Sequence, residues 1–398
     1  MKVVYASAVC SKQRFSELFP DAENMPGQQV QKYHRLLLGG LAKNGTSVIA
    51  LSGPPITRAN HGATMVNIGD DTESGVAYRY LPTINLPGIK NLVTLVTSFA
   101  NTYGVLRRDS GAVVVCDVLN FSVATGALLA AKVLRRSNTG IVTDIPKFLI
   151  NRPGPLATFL TTYAMERYDS YVLLTQQMSS LVNRRRMPEV VIEGLVDIDM
   201  KYRTNELDGK HSKSVCLYAG TIDRRYGVET LVQGFLRSHV NNAELWIYGK
   251  GDYENNLKEL ALAYPRVKYF GMVPNDIVVE EQLRATVLVN PRSTWEEFTN
   301  YSYPSKNMEY MASGTPLLTT LLPGMPDEYL PYVYLLRDET PQGIARMLDA
   351  LLAEDPIVLH SKGKEAKEYV VLHKSNTVQA GRLIQFIQEV AERSLVSE

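Results

Sequence analysis

At 398 residues the chain exceeds the roughly 250–300 at which a single core stops growing, so two domains of about 190 residues are the starting expectation. Hydrophobic residues at 45% and charged residues at 21% match globular usage and exclude a disordered or fibrous chain. A formal net charge of +1 excludes a global field that would gather nucleic acid, so any basic surface has to be local.

Along the first half, short β-branched runs alternate with amphipathic stretches, the pattern of βαβ units stacked into a parallel sheet. Strands are predicted at Lys2–Val9, Ser47–Ser52, Ala112–Asp117, Gly140–Thr143, Ser170–Leu174 and Val190–Glu193. The clearest helix follows the first strand, with Val30, Tyr33, Leu37, Leu38 and Leu41 on one face and Asn44-Gly45 as its stop. Its entry, Met25-Pro26-Gly27-Gln28, is a turn that brings backbone close to a sheet edge, a place suited to phosphate. His34 on this helix is expected to be a satisfied histidine rather than a catalytic one.

Cys10, Cys116 and Cys216 lie far apart, each in an apolar strand-like run, and are expected as buried free thiols of a reducing, cytoplasmic protein. Cysteines and histidines never pair at ligand spacing, so no metal is expected. The N-terminal apolar stretch runs straight into Ser11, Lys12, Gln13 and Arg14, which does not fit a signal peptide. Gly111–Leu134, broken by Asp117 and Asn120, reads as a strand and a small-residue helix rather than a membrane span.

The pattern restarts after a polar stretch. The expected division is a first Rossmann-like domain over 1–198, a linker over 199–213 and a second Rossmann-like domain over 214–378. Strands of the second are predicted at Ser214–Ala219, Ala243–Tyr248, Val267–Phe270, Thr286–Asn290, Pro316–Thr319 and Val333–Leu335. A final amphipathic helix carries Leu383, Ile384, Phe386, Ile387 and Val390, and the segment of about 379–398 is expected to pack back on the first domain.

One segment carries chemistry. In Tyr303–Pro316, Pro304 suits the first turn of a helix, while Gly314 and Pro316 end it about three turns later. Lys306 and Glu309 then share a face, with Met308 and Met311 turned to the core. A lysine at a helix N-terminus suits a diphosphate, and a carboxylate one turn on can accept from the two hydroxyls of a ribose. Spacing alone fits an exposed ion pair equally well. Gly249-Lys250-Gly251 does not complete a nicotinamide fingerprint, because Glu254 stands in the place of the third glycine.

Ser305-Lys306, Glu309-Tyr310-Met311 and Gly314-Thr315-Pro316 resemble the donor-site helix of retaining glycosyltransferases of the GT-B fold, family four or group 1. Tyr218-Ala219-Gly220-Thr221 with Arg224-Arg225 and Tyr226–Leu231, Ile247–Asp252, Val267–Val273 and Val287–Arg292 extend the likeness across Ser214–Thr320. Pro26-Gly27-Gln28 and Ile192–Asp197 carry it more loosely into the first half.

The resemblance implies an α/β protein of two Rossmann-like doubly wound domains facing each other across a cleft. It implies transfer of a sugar from a nucleoside diphosphate sugar, UDP or GDP type, to a hydroxyl with retention, in polysaccharide or lipid-linked oligosaccharide assembly. Lys306 and a basic residue of the Gly220 loop would hold the diphosphate, and Glu309 the ribose. Three departures stand out. Tyr301 occupies the position of a glutamate that contacts the donor sugar, which leaves Glu297, Thr299 or Ser302 for that part. The usual basic pair of the Gly220 loop falls on Thr221 and Tyr226, which passes the role to Arg224 or Arg225, with Arg225 preferred. Asp144 stands where the family often has a histidine near the reacting sugar.

No acidic metal-binding cluster sits in a suitable loop, so metal-independent transfer without a cofactor is expected. The other readings are a nucleotide-sugar epimerase and a non-catalytic nucleotide-sugar-binding partner of an active transferase. Arg107-Arg108, Arg135-Arg136 and Arg184-Arg185-Arg186 fit either solvated helix ends or a face toward an anionic membrane bearing a lipid-linked acceptor.

Overall fold

The computed structural model describes residues 1–20, 25–149 and 154–396, with side chains to 393. The chain forms two compact units, Met1–Leu195 with Asn376–Glu398, and Val196–Ser375.

The first unit begins with β1 (Lys2–Ser7), α1 (Lys12–Leu18), α2 (Gln28–Lys43) and β2 (Ser47–Ser52). A two-stranded ribbon of β3 (Met65–Val66) and β6 (Thr83–Ile84) encloses a hairpin, β4 (Asp71–Glu73) and β5 (Val76–Tyr80), which the sequence reading passed over. Then come α3 (Ile89–Arg108), β7 (Ala112–Asp117), α4 (Phe121–Val133), β8 (Asn138–Val142), α5 (Pro155–Met165), β9 (Ser170–Leu173), α6 (Ser179–Val182) and β10 (Glu189–Val191). Eight strands form one sheet in the order β10-β9-β8-β7-β1-β2-β5-β4, parallel except where β4 pairs with β5. Every residue of β7 is buried, the mark of a strand covered on both faces.

The second unit comprises β11 (Ser214–Ala219), α7 (Val228–Arg237), β12 (Ala243–Tyr248), α8 (Glu254–Ala263), β13 (Val267–Gly271), α9 (Asn275–Arg284) and β14 (Val287–Asn290). It continues through α10 (Ser305–Ser313), β15 (Leu317–Thr320), β16 (Tyr334–Leu336), α11 (Pro341–Ala353) and α12 (Pro356–Lys374). Its six strands are all parallel, in the order β13-β12-β11-β14-β15-β16. Side chains of β11 alternate between two cores: Cys216 and Tyr218 join one, Val215, Leu217 and Ala219 the other.

Residues 199–213 lie on the second unit. Short 3₁₀ turns span Ile198–Tyr202 and Leu207–Gly209. Between them Asn205 Nδ2 donates to the Ser313 carbonyl at 2.8 Å and to Thr315 Oγ1 at 2.9 Å. Lys210 Nζ donates to the carbonyls of Leu283 and Ala285 at 2.8 and 2.9 Å and to Thr315 Oγ1 at 3.0 Å. The cation thereby sits at the carbonyl end of α9, where the helix dipole favours it.

The last helix, α13 (Asn376–Val396), lies against α2 in the first unit. Gly40 permits this approach, since a Cβ there would stand 2.2 Å from the Asn376 carbonyl oxygen. Asn376 Nδ2 donates to Leu36 O at 3.1 Å, and Gln379 Nε2 to Gly194 O at 2.9 Å. Ala380, Leu383, Ile387 and Val390 are buried. The three larger of these side chains stabilise the contact by about 1.5–3 kcal/mol each. All three cysteines are buried free thiols, and burial pushes each up to about 12.

Candidate functional site

In an open parallel sheet a ligand binds beyond the carboxyl ends of the strands where the winding direction reverses. In the second unit β11 leads to β12 on one side, while the chain later returns to place β14 on the other. The reversal therefore falls between β11 and β14. The loops leaving those two strands are the Gly220 loop and Pro291–Ser302, and the second of them runs into the N-terminus of α10.

Close backbone contact shapes the Gly220 loop. Gly249, which follows β12, has φ +131°, and a Cβ there would fall 1.8 Å from the Gly220 carbonyl oxygen. Only glycine fits this position, by conformation and by space alike. Gly220 itself faces Lys306: a Cβ on Gly220 would meet the Lys306 Cε at 3.3 Å. The root of the loop, at the end of β11, is secured from α10, where the Tyr310 hydroxyl accepts from Ala219 N–H at 2.7 Å and donates to Ala219 O at 3.1 Å.

Helix α10 starts at Pro304 without a side-chain cap and ends at Gly314 in the left-handed conformation, φ +79°. Met308 and Met311 are buried, as the spacing predicts. Lys306 Nζ and Glu309 Oε1 stand 3.9 Å apart, each side chain about one-sixth exposed. Glu309 is also aimed by Gln282 on α9, whose Nε2 donates to Oε1 at 2.8 Å. A second polar link, Asn290 Nδ2 to Asn307 Oδ1 at 2.6 Å, ties the end of β14 to the first turn of α10.

Arg225 is held by Asp223, its Nε and Nη2 donating at 3.2 and 2.9 Å to the two carboxylate oxygens. That fork keeps the Asp223 carboxyl below the usual carboxylate range. Arg224 turns elsewhere, 3.2 Å from Glu229 and 3.2 Å from Asn256 Oδ1, with its guanidinium over the Tyr253 ring. Of the two arginines, the structure thus commits Arg224 to α7 and α8.

The loop before α10 is organised by groups whose parts the sequence did not disclose. Arg292 lies over the Tyr226 ring at 4.5 Å and the Phe298 ring at 5.6 Å, and its Nη1 donates to Ser302 Oγ at 3.4 Å. It thereby joins the Gly220 loop to the 3₁₀ turn Glu297–Tyr301 that holds Tyr301. Glu339 accepts from Ser293 Oγ at 3.1 Å, from Thr294 N–H at 2.9 Å and from Thr294 Oγ1 at 2.6 Å. Beside this clamp Trp295 is 89% exposed.

In the first unit, Gly27 is the exposed N-cap of α2, and Asp144 is exposed just beyond β8. His34 is a core residue, 1% exposed. The Tyr5 hydroxyl meets its Nδ1 at 2.6 Å, and Asp117 Oδ2 stands 2.9 Å from its Nε2.

Residues 213–354 match the family of group 1 glycosyl transferases. A search of curated protein sequences finds no match. Among solved structures, the chain is similar to sucrose-phosphate synthase from Thermosynechococcus elongatus, with 16% identity, 98% of this chain and 99% of that chain covered, and a TM-score of 0.67. A glycosyltransferase from Rickettsia africae superposes with 14% identity, 98% of both chains and a TM-score of 0.66. HepE of Anabaena, in complex with UDP-glucose, does so with 13% identity, 100% of both chains and a TM-score of 0.64. The matched segment thus places residues 213–354 with the group 1 glycosyl transferases, and the whole chain shares the two-domain α/β fold of these structures.

Proposed function

We propose that the protein moves a hexosyl group from a nucleoside diphosphate sugar to a hydroxyl of a glycan or lipid-linked acceptor, with retention at the anomeric carbon. The observation that carries this reading is the meeting of three features at one switch point. They are the Gly220 backbone loop against which Gly249 leaves no room for a side chain, a lysine on a helix N-terminus beside it, and a carboxylate one turn further along. Neighbouring structures holding UDP and UDP-glucose support a nucleotide-sugar donor, and its proposed type is UDP or GDP.

The demanding step is departure of the nucleoside diphosphate, when negative charge gathers on its oxygens. Lys306 and the N–H groups opening α10 would stabilise that charge, and this is the principal catalytic term. Arg225, already oriented by Asp223, is proposed to reach the same diphosphate, and Arg224 to support the loop from behind. Glu309, aimed by Gln282, takes the ribose hydroxyls. Tyr301 and Ser302 border the donor sugar, with Ser302 held by Arg292. Asp144 keeps a proposed catalytic part and Gly27 a part in binding, both in the first unit. Neither an epimerase nor a non-catalytic partner gains support from a specific contact.

Metal independence belongs to the proposal. Nucleoside diphosphate release from a panel of nucleotide sugars with acceptors, run with and without chelator, tests both parts. Turnover that survives the chelator supports the reading, and turnover that returns only when a divalent cation is added overturns the metal-independent mechanism. Site for polysaccharide or lipid-linked oligosaccharide assembly is the proposed biological setting, at the cytoplasmic side of a membrane.

A further inference from the structure

Helices α3, α4 and α5 belong to one layer of the first unit. Helix α4 packs on α3, where a Cβ on Gly126 would meet the Leu95 carbonyl oxygen at 2.3 Å, and it also touches α5. None of the three helices contains an aspartate or a glutamate. Their cations are Lys90, Arg107, Arg108 and Lys132.

Helix α5 is turned against the usual rule. Its buried residues are Thr161 and Met165, whereas Leu156, Phe159, Leu160 and Tyr163 face solvent, with Leu156 72% and Phe159 63% exposed. These four positions have the i, i+3, i+4, i+7 spacing of a single apolar stripe. The helix itself carries no charge. Leu129 and Val133 of α4, and Ile89, Leu92 and Val96 of α3, are exposed as well. An exposed apolar surface of this extent on a soluble fold marks a contact site.

The chemistry around the stripe selects the occupant. Arg107 and Arg108 end α3 in exposed positions, Arg135 follows α4, and Arg184, Arg185 and Arg186 are exposed beyond α6. Arg167 follows α5 and lies 3.7 Å over the Tyr163 ring. The acidic groups nearby are already engaged: Asp109 with Lys2 at 3.0 Å, Glu166 with Arg184 at 3.5 Å, and Asp169 with Lys132. Apolar side chains bordered by arginines, with three of the neighbouring acids paired to cations, fit the interface of an anionic bilayer.

We propose that α5, with the exposed apolar residues of α3 and α4, inserts into the headgroup boundary of an anionic membrane, making the first unit an interfacial anchor. This deepens the membrane setting of the proposed function by naming the anchoring surface, and it does not depend on the transfer reaction. Among the described residues no helix is long and apolar enough to cross a membrane, so the contact is with one leaflet.

Flotation of the full chain with phosphatidylcholine vesicles, with and without phosphatidylglycerol, tests it. The expected result is flotation with the anionic vesicles, lowered roughly ten-fold or more by the pair Leu156→Glu and Phe159→Glu. The pair Arg107→Glu and Arg108→Glu is expected to lower it as well. Both double variants alter exposed side chains, and thermal unfolding of each checks that it folds. No flotation with anionic vesicles overturns the proposal, as does flotation untouched by the α5 pair. A wild-type dimer in sedimentation that the α5 pair dissolves, without any vesicle binding, would assign the stripe to a second copy and overturn it too. Nucleotide affinity measured on the same variants is expected to stay at the wild-type value, which separates this test from that of the donor site.

Discussion

The Lys306 ammonium and the Glu309 carboxylate stand 3.9 Å apart on one face of α10, close enough to attract and too far for a good hydrogen bond. At this distance no good hydrogen bond joins the two groups, so none has to be broken for them to meet a diphosphate and a ribose. Gln282 keeps Glu309 oriented when the lysine turns away.

Glu309→Ala removes the proposed acceptor of the ribose hydroxyls. Hydrogen bonds to a charged group are worth about 1.5–3 kcal/mol, so the donor KM is expected to rise at least ten-fold with a smaller change in kcat. Steady-state kinetics with varied donor decide; an unchanged KM would remove Glu309 from ribose binding.

Gly249→Ala strikes the backbone. Its methyl would fall 1.8 Å from the Gly220 carbonyl oxygen at a φ of +131°. The expected outcome is a stability loss of at least about 2 kcal/mol together with weakened nucleotide binding. Denaturant unfolding at wild-type stability would contradict the packing described for the two loops.

Tyr310→Phe keeps the ring and deletes the hydroxyl that bridges α10 to both backbone groups of Ala219. Leaving those buried groups short of partners costs about 1–3 kcal/mol. Donor affinity is expected to fall with stability, because the Gly220 loop loses its tie to α10. Stability lost with donor affinity intact would show that the tie serves folding alone.

Lys210 gives the second unit a signature in pH. Burial lowers its ammonium from the usual 10.5 to about 7. Between about 7 and 10.5 the unfolded chain therefore binds a proton that the folded chain has released, and this group makes stability rise with pH across that window. The neutral amine can still donate twice, and Thr315 keeps Asn205 and the Gln282 carbonyl as partners. Lys210→Met is expected to flatten the rise. Chemical unfolding of both proteins at pH 7 and pH 9.5 tests this; parallel curves would refute the assignment.

Much of this was legible in the sequence because it is local. Pro304, Lys306, Glu309 and Gly314 mark a helix and its charged face within eleven residues, and the structure keeps those four positions in that order. The β-branched runs show strands to within a residue or two. The hairpin Asp71–Tyr80 escaped because its strands are short and its alternation includes Arg79 and Glu73. His34 is expected only to be satisfied; its partners Tyr5 and Asp117 are distant in sequence and cannot be named from it. Gln282, Arg292 and Glu339 escaped for the same reason: each acts on a residue 10 to 46 positions away, and single-chain patterns carry no signal over such spans. The outward stripe of α5 was hidden because an apolar run reads as core until the fold shows which side faces it.

The central claim is that nucleoside diphosphate leaves from Lys306. Its most direct test is the rate of nucleoside diphosphate release from UDP- and GDP-sugars with a hydroxyl acceptor, compared between the wild-type chain and Lys306→Ala. With one preorganised cation removed, the expected rate falls roughly 10²–10³-fold while thermal unfolding stays near wild type. A folded Lys306→Ala protein that turns over at the wild-type rate would contradict the account.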